Sequence, residues 1–291
     1  MIAVNRRVFL GTMGTTLMAA RYAGAASIER IGIQLYTVRG DLEKDFDGTI
    51  KKIAAIGYKE VEFAGYFNHT PQQVRDLVRA NGLTAPSAHV DYPSLAPDKF
   101  PAVLDSAHTI GHQFLVNPWI DETLRKQPDI WKRAADVYNQ AAAASRKAGI
   151  QFAYHNHNFE FTPVNGELPF DTLLQRCDPA LVKMELDLCW IAAAGKDPLD
   201  YFKKYPGRFP LVHVKGLSKV PAATASGAAV PIPEVLPNVT DVGNHDVIDW
   251  KRIFADSKEA GITHYFVEHD VPKAPFESAK VSYDYLKALR F

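Results

Sequence analysis

Residues 152–160 read FAYHNHNFE, an apolar run that finishes in histidines, asparagines and a glutamate. Three later runs have the same form, namely VKMELD at 182–187, LVHVK at 211–215 and YFVEHD at 265–270. An apolar start is typical of a buried parallel strand. Carboxylates and imidazoles are tolerated in a core only when they are paired or bound to a metal. Four such endings predict that the carboxyl ends of these strands meet at one polar site, as in a (β/α)8 barrel.

The rest of the chain alternates between strand-like and helix-like patterns about eight times between residues 27 and 291. Gly57, Gly149 and Gly261 follow predicted helices, where glycine commonly stops a helix. The alternation predicts one domain, a single (β/α)8 TIM barrel. A doubly wound open sheet is the alternative, but it would not bring four polar endings around one point so readily. The stretch 218–238 is predicted to be a long loop, or lid, on the active-site face.

The overall charge argues against a nucleic-acid partner. Lys and Arg together number 33, as do Asp and Glu, so the formal net charge is zero. Nucleic-acid-binding proteins normally have a basic face. Cys177 and Cys189 do not form a metal-type pair and are predicted to be two independent buried thiols. The oligomeric state is left open, and a homo-oligomer is compatible with the sequence.

Residues 1–26 are predicted to be an export signal rather than part of the barrel. Arg6 and Arg7 precede a short apolar run, a mildly apolar stretch and the small residues at 23–26. This order resembles a twin-arginine signal and predicts an exported, periplasmic protein. The stretch is too short to be a permanent membrane anchor. The alternative is a disordered or amphipathic N-terminal helix.

Polar residues at predicted strand ends supply candidate metal ligands. Asp187, His213 and Glu268 stand near the ends of the sixth, seventh and eighth strands. A divalent cation that binds sugar hydroxyls favours such a mixture of carboxylate and imidazole. An internal hydrogen-bonded network without a metal is the alternative, but three such residues on successive strands favour a metal site.

The fifth strand leaves the fourth ligand open. His155 and His157 point to the same face of an extended strand, because side chains alternate. Glu160 lies just past the predicted strand end and could fold back over the barrel mouth.

Six segments together resemble the sugar phosphate isomerase/epimerase family of xylose-isomerase-like TIM barrels. They are IQLYTVR at 33–39, GYKEVEFAG at 57–65, YHNHNFEF at 154–161, ELDLCW at 185–190, HVK at 213–215 and VE at 267–268. The resemblance implies one divalent metal ion (Mn, Mg, Co or Zn) held by a Glu-Asp-His-Glu set on strands five to eight. Asp187, His213 and Glu268 match that set, and Glu160 is assigned as its fourth member. The alternative fourth ligand is His155 or His157. Gly216 stands where relatives often have an aspartate.

The resemblance also implies proton transfer beside a carbonyl of a small-molecule sugar or keto-sugar, through an enediolate. The implied enzyme is a metal-dependent isomerase or epimerase. Glu160 and Glu268 are the expected proton-transfer pair, with His155 and His157 in reserve, and Lys215 is expected to polarise a substrate oxygen. The alternatives are a lyase or hydrolase that cleaves 3-keto-glycosides and an exported sugar-binding barrel without catalysis. Endonuclease activity fits a neutral exported chain poorly.

Residues at the ends of earlier strands are candidates for substrate binding, since barrel active sites use such positions. Glu62, His89 and Asn117 end the second, third and fourth predicted strands. Trp119 and Trp190 are candidates for a sugar-stacking wall, although a lone tryptophan more often serves packing. No Arg/Lys cluster marks a phosphate site, which favours an unphosphorylated substrate.

Overall fold

The computed structural model describes residues 25–222, 224 and 227–291. The export signal predicted for residues 1–26 lies outside the described residues, except for its last two. Within the described chain, no helix is both long and apolar enough to cross a membrane.

Eight parallel strands close into a barrel, which confirms the predicted single (β/α)8 fold. Around the barrel each strand pairs with its neighbours in chain order, and the last strand pairs with the first. The barrel strands are β1 (Ile31–Gln34), β2 (Glu60–Phe63), β3 (Thr84–His89), β4 (Phe114–Asn117), β5 (Gln151–His155), β6 (Val182–Asp187), β7 (Leu211–Val214) and β10 (His264–Val267). Two short strands, β8 (Gly216–Leu217) and β9 (Val239–Thr240), form a separate antiparallel ribbon.

Helices follow the strands and cover the outside of the barrel. The α-helices are α1 (Arg39–Leu42), α2 (Phe46–Ile56), α3 (Pro71–Ala80), α4 (Phe100–Ile110), α5 (Glu122–Arg125), α6 (Ile130–Lys147), α7 (Pro169–Arg176), α8 (Leu188–Ala193), α9 (Pro198–Lys204), α10 (Ile232–Val235), α11 (Trp250–Ala255), α12 (Ser257–Ala260) and α13 (Pro275–Ala288). Single 3-10 turns occupy Leu35–Val38, Tyr92–Leu95, Phe159–Phe161 and Leu236–Asn238. Thr70 and Gln73 form a capping box at the start of α3, as the Thr-Pro pair at 70–71 suggests.

Two strands end earlier than predicted by their sequence patterns, which extend over residues 31–38 for the first strand and 150–157 for the fifth. The first strand stops at Gln34, because the Gln34 side chain accepts a hydrogen bond from the Tyr36 amide and begins a 3-10 turn. The fifth strand stops at His155. There the Asn156 side chain turns to accept a hydrogen bond from the Asp187 amide of the next strand. The alternation that would put His155 and His157 on one face therefore does not continue to His157.

The region after β7 is more ordered than a plain loop. The predicted loop 218–238 contains α10 and a 3-10 turn, and its ends are joined by the β8–β9 ribbon. The residues 248–260, whose sequence pattern predicts one helix, form two helices, α11 and α12, divided at Asp256.

The two ends of the barrel differ in chemistry. Val116, Ala153, Leu211 and Phe266 fill part of its interior. Near the amino ends of the strands, Glu60 accepts a hydrogen bond from Arg30 and lies 2.8 Å from His264 Nδ1. The opposite end carries the polar residues predicted for the site.

Cys177 and Cys189 are both buried and free, as predicted.

Candidate metal centre and active site

The carboxyl end of the barrel gathers charged side chains from six strands. They are Glu62 on β2, His89 on β3, His155 on β5, Glu185 and Asp187 on β6, His213 on β7 and Glu268 just after β10. All are buried except His89, which is partly exposed. Charged groups are costly to bury unless they are paired or bound to a cation. The barrel therefore concentrates at this end most of the residues that the sequence predicted for it, together with Glu185.

A first group consists of His89, His155, Glu185 and His213, and it surrounds one carboxylate oxygen. Glu185 Oε2 lies 3.0 Å from His89 Nε2, 3.1 Å from His155 Nδ1 and 3.2 Å from His213 Nε2. One ligand atom from each residue lies within 4.8 Å of all the others. We call this set the histidine group.

A second group centres on Lys215, whose ammonium is buried among three carboxylates. Its Nζ lies 2.6 Å from Glu268 Oε2, 3.0 Å from Asp187 Oδ2 and 3.2 Å from Asp270 Oδ2. We call these four residues the lysine group. The two groups meet at His213, whose Nδ1 lies 2.8 Å from Glu268 Oε2.

Glu62 lies beneath the two groups. We call the two groups together with Glu62 the floor of the site. Its Oε2 lies 2.7 Å from His213 Nε2 and accepts a hydrogen bond from Gln34. Its Oε1 accepts a 2.5 Å hydrogen bond from Ser87. Burial raises the pKa of Glu62, but His89 and His213 outweigh that effect and hold the pKa well below its usual value. Glu62 is therefore a charged residue that contacts the same nitrogen of His213 as Glu185 does.

Two of the three carboxylates that contact Lys215, Asp187 and Glu268, differ in their proton affinity. Burial raises the pKa of Asp187 to about 6, although Lys215 and His213 act in the opposite direction. Burial also acts on Glu268, but there the charges of Lys215 and His213 prevail and lower its pKa. The distances explain the difference, since Lys215 Nζ is closer to Glu268 than to Asp187. The carboxylates in turn hold the pKa of Lys215 well above its usual value, despite burial, so Lys215 is cationic.

The histidine group is compact enough for its four ligand atoms to surround one ion. Ligand atoms about 2.1 Å from one ion lie roughly 3.0–3.4 Å from their neighbours in octahedral or tetrahedral geometry. The three contacts of Glu185 Oε2 fall at 3.0–3.2 Å. The other oxygen, Glu185 Oε1, is buried and has no hydrogen-bond partner within the described chain. Three imidazoles and a carboxylate suit zinc, manganese or cobalt. A divalent cation therefore fits the residues present.

Glu160, the assigned strand-five ligand, lies apart from both groups. It is fully buried in the 3-10 turn after β5. Its Oε1 accepts a 2.5 Å hydrogen bond from the Tyr154 hydroxyl, and its Oε2 accepts one of 2.9 Å from the His157 amide. The strand-five residue that the structure brings to the other candidates is the alternative, His155.

The five predicted substrate-binding residues divide between the cavity and the packing beneath it. His89, Trp119 and Trp190 line the cavity above the two groups. Asn117 instead donates to the Val90 carbonyl and accepts a hydrogen bond from Tyr138, which satisfies its side chain in the core. Glu62 belongs to the floor, as described above.

His157 stands in the cavity wall, although β5 ends two residues earlier. Its ring is packed 4.9 Å from that of Trp119 and 5.6 Å from that of Trp190. Burial lowers its pKa well below the usual value, so the ring is neutral at pH 7. Its Nδ1 is buried without a hydrogen-bond partner in the described chain.

Three members of the site were not predicted from the sequence, namely Glu185, Gln34 and Asp270. Glu185 could have been predicted from the position of Asp187, because residues two apart on a strand face the same side. Asp270 ends the run YFVEHD in the same way, two residues after Glu268. Gln34 had no such signal, since a glutamine at a strand end has many uses.

The cavity above these groups measures about 720 Å³. His89, His155, Glu268 and Asp270 form its polar end. Mainly aromatic and aliphatic side chains from the surrounding loops form the rest, together with Arg39, Asp91 and Asp121. A ligand that enters the cavity therefore passes a largely apolar opening before it contacts the charged floor.

Comparisons with known proteins agree with this architecture. Residues 50–289 match the model of the xylose isomerase-like TIM barrel family. An inosose dehydratase of Lacticaseibacillus casei is 24% identical over 271 residues, which cover 84% of this chain and 90% of that protein.

Solved structures show the same likeness. A sugar phosphate isomerase/epimerase from Parabacteroides distasonis is 25% identical with a TM-score of 0.73, covering 94% of this chain and 97% of that chain. The IOLI protein with a bound zinc atom shares the fold at 14% identity and a TM-score of 0.65, covering 88% of this chain and 95% of that chain. The match over residues 50–289 shows that this chain belongs to the xylose isomerase-like TIM barrel family.

Proposed function

We propose that the protein is a divalent-metal-dependent lyase that acts on a keto-sugar or keto-polyol. It removes the proton beside the carbonyl and then expels the substituent on the next carbon, as a dehydratase does. The observation that carries this proposal is the histidine group, whose spacing fits a bound cation and which opens into the cavity. The inosose dehydratase name of a relative that covers 84% of this chain supports the lyase reaction.

The metal ligands in this proposal are His89, His155, Glu185 and His213. Asp187 and Glu268, which the family pattern implies as ligands, already contact the cation of Lys215. A second cation beside them would be repelled by the ammonium. When bound, the ion supplies a Lewis acid that polarises the substrate carbonyl.

His157 is the residue that we assign to proton transfer. It lines the cavity and is neutral, so it can accept the proton from the carbon beside the carbonyl. The C–H electron pair then forms the enediolate, and the bond to the neighbouring substituent breaks with its electrons. The His157 imidazolium returns its proton to the leaving oxygen. Lys215 supplies positive charge near the substrate, where negative charge develops.

An isomerase or epimerase is the second candidate. The solved structure with a TM-score of 0.73 is named a sugar phosphate isomerase/epimerase, which favours it. The first proton transfer would be the same, but the proton would return to carbon and no substituent would leave.

We also infer that the protein acts after export, which rests on the arginine pair and the apolar run in residues 1–26. Fractionation of the native host with an antibody tests this inference. We expect the unaltered protein in the periplasmic fraction. In an Arg6→Lys, Arg7→Lys double variant we expect it in the cytoplasm instead. Equal fractionation of both forms would contradict it.

The reaction is tested in deuterated water with metal-loaded protein and a panel of keto-polyols and keto-sugars. NMR follows deuterium beside the carbonyl and the unsaturated product of elimination. The proposal predicts both signals, and His157→Asn should reduce both at least 100-fold, within the range for loss of a proton-transfer group. Deuterium exchange without elimination would assign the isomerase or epimerase. Neither signal with a loaded metal would contradict catalysis on this substrate class.

A further inference from the structure

We propose that the outer part of the cavity is a subsite for an apolar ring attached to the sugar. The natural substrate is then a glycoside with an apolar aglycone rather than a free keto-sugar. This inference rests on the proposed function for the reacting sugar, but its evidence is the cavity wall rather than the metal centre.

Exposed apolar side chains are concentrated at this cavity. Seven large hydrophobic residues of the described chain are exposed, and three of them line it: Tyr36 at 41%, Trp119 at 37% and Val271 at 48%. They follow β1, β4 and β10. Since β4 lies across the barrel from β1 and β10, apolar groups face the opening from both sides. Apolar surface clustered at a concave site marks a place where a ligand covers it.

Both aromatic rings are held in place by neighbouring side chains. The Arg39 guanidinium lies 3.8 Å from the centre of the Tyr36 ring. Trp119 packs edge-on against Phe159 at 5.2 Å, and the Arg125 guanidinium lies 4.8 Å from its centre. Rings fixed before binding lose little conformational entropy when a ligand stacks on them. The outer cavity thus has preformed stacking surfaces.

The segment after β8 completes the apolar wall. Ile232 and Leu236 from this segment line the cavity. The segment is tied to the turn after β5, since Asn158 Nδ2 donates to the Val230 carbonyl at 2.5 Å and Ala229 donates to Thr162 Oγ1 at 2.9 Å. This part of the wall is therefore anchored to the barrel by the protein's own hydrogen bonds.

The charged residues of the outer cavity, Arg39, Asp91 and Asp121, each make a hydrogen bond to the backbone of their own turn. Asp91 accepts a hydrogen bond from the Ser94 amide, and Asp121 accepts one from the Thr123 amide. A second sugar would bring several hydroxyls and need partners for them. An apolar ring needs none, so it matches this wall better.

The size of the cavity also exceeds the need of one sugar. A volume of about 720 Å³ lies in the upper half of the range of roughly 300–1,000 Å³ for sites that bury drug-sized ligands. A single sugar ring is smaller than such a ligand. A sugar placed on the charged floor would leave the space between Tyr36, Trp119 and Leu236 unfilled.

The test compares binding of matched 4-nitrophenyl and methyl glycosides across several sugars by calorimetry, using the metal-loaded protein. We expect the aryl glycoside of the preferred sugar to bind at least tenfold more tightly than the methyl glycoside. In Trp119→Ala the ratio should fall to about one, because the stacking surface is lost. Val247→Ala, an exposed apolar residue away from the cavity, is the matched control and should keep the ratio.

Equal affinities in the unaltered protein, or an aryl preference that survives Trp119→Ala, would overturn the subsite. If a disaccharide bound more tightly than the aryl glycoside, the outer cavity would be a subsite for a second sugar, and the proposal of an apolar-ring subsite would be wrong. These outcomes are independent of turnover, so the subsite and the proposed reaction can fail separately. An aryl preference without proton exchange would contradict only the reaction. Metal content measured in each variant shows that the site is intact.

Discussion

Replacing Lys215 with methionine tests whether the lysine group depends on its buried cation. The ammonium is 1% exposed and lies within 3.2 Å of Glu268, Asp187 and Asp270. Methionine has a similar length but no charge, so the buried carboxylates of Glu268 and Asp187 and the partly exposed Asp270 lose their shared partner. Breaking a buried ion pair by removing one member costs about 3–5 kcal/mol. We therefore expect Lys215→Met to lower the free energy of unfolding of the metal-free protein by about 4 kcal/mol.

The loss should appear as a change in melting temperature. For a domain of this size 1 kcal/mol shifts Tm by roughly 2–4 °C, so a fall of about 10 °C is expected. Differential scanning calorimetry of the chelated protein at pH 7 measures it. Lys219→Met, on an exposed residue after the same barrel strand, is the control and should change Tm by less than about 2 °C.

The same variant should respond differently to metal. Without the ammonium, the vacated space among the three carboxylates becomes a place where a divalent ion can bind. Manganese should then raise the Tm of Lys215→Met by more than it raises that of the unaltered protein. The reasoning would be refuted if metal-free Lys215→Met melted at the temperature of Lys219→Met. That result would mean that the carboxylates are not held by this cation.

Three further changes test other parts of the account. Glu185→Gln should weaken divalent-metal binding at least tenfold in calorimetric titration, because it removes the carboxylate shared by three imidazoles; unchanged affinity would exclude Glu185 as a ligand. Glu160→Gln should leave metal content unchanged, because Glu160 is bonded to Tyr154 and the His157 amide instead; loss of metal would restore it to the ligand set. Burial lowers the pKa of His112 in the folded protein to about 4. As the pH falls, His112 is therefore protonated in the unfolded chain before it is protonated in the folded protein. This difference removes up to about 3 kcal/mol of the free energy of unfolding between pH 6.5 and 4. His112→Asn should remove that part of the pH dependence in urea unfolding at pH 4.5–7.5, and equal slopes would contradict it.

The barrel could be predicted because its signals are local and repeated. Every barrel strand contains buried apolar residues, and glycines such as Gly57 and Gly261 adopt positive φ directly after their helices. A regular alternation of this kind leaves few other topologies. The early end of β5 could not be predicted in the same way. It depends on Asn156 accepting a hydrogen bond from Asp187, which lies 31 residues away in the chain.

The sequence predicted the chemical type of the candidate site, but not all of its residues. Asp187, His213 and Glu268 meet as the strand endings indicate, and Glu185 was missed although it lies two residues before Asp187 on β6. The position of Glu160 was not readable, because it depends on Tyr154 reaching the 3-10 turn from β5. Whether a carboxylate binds a metal or an internal hydroxyl is decided by three-dimensional packing, which a run of residues does not encode locally.

The measurement that tests the central claim most directly is the divalent-metal content of the purified protein. The spacing of His89, His155, Glu185 and His213 predicts close to one ion per chain in plasma mass spectrometry. That ion should be removed by a chelator and should return when manganese, cobalt or zinc is added. A chain that is folded but holds no metal, before or after such loading, would contradict the assignment of this site and the reaction proposed for it.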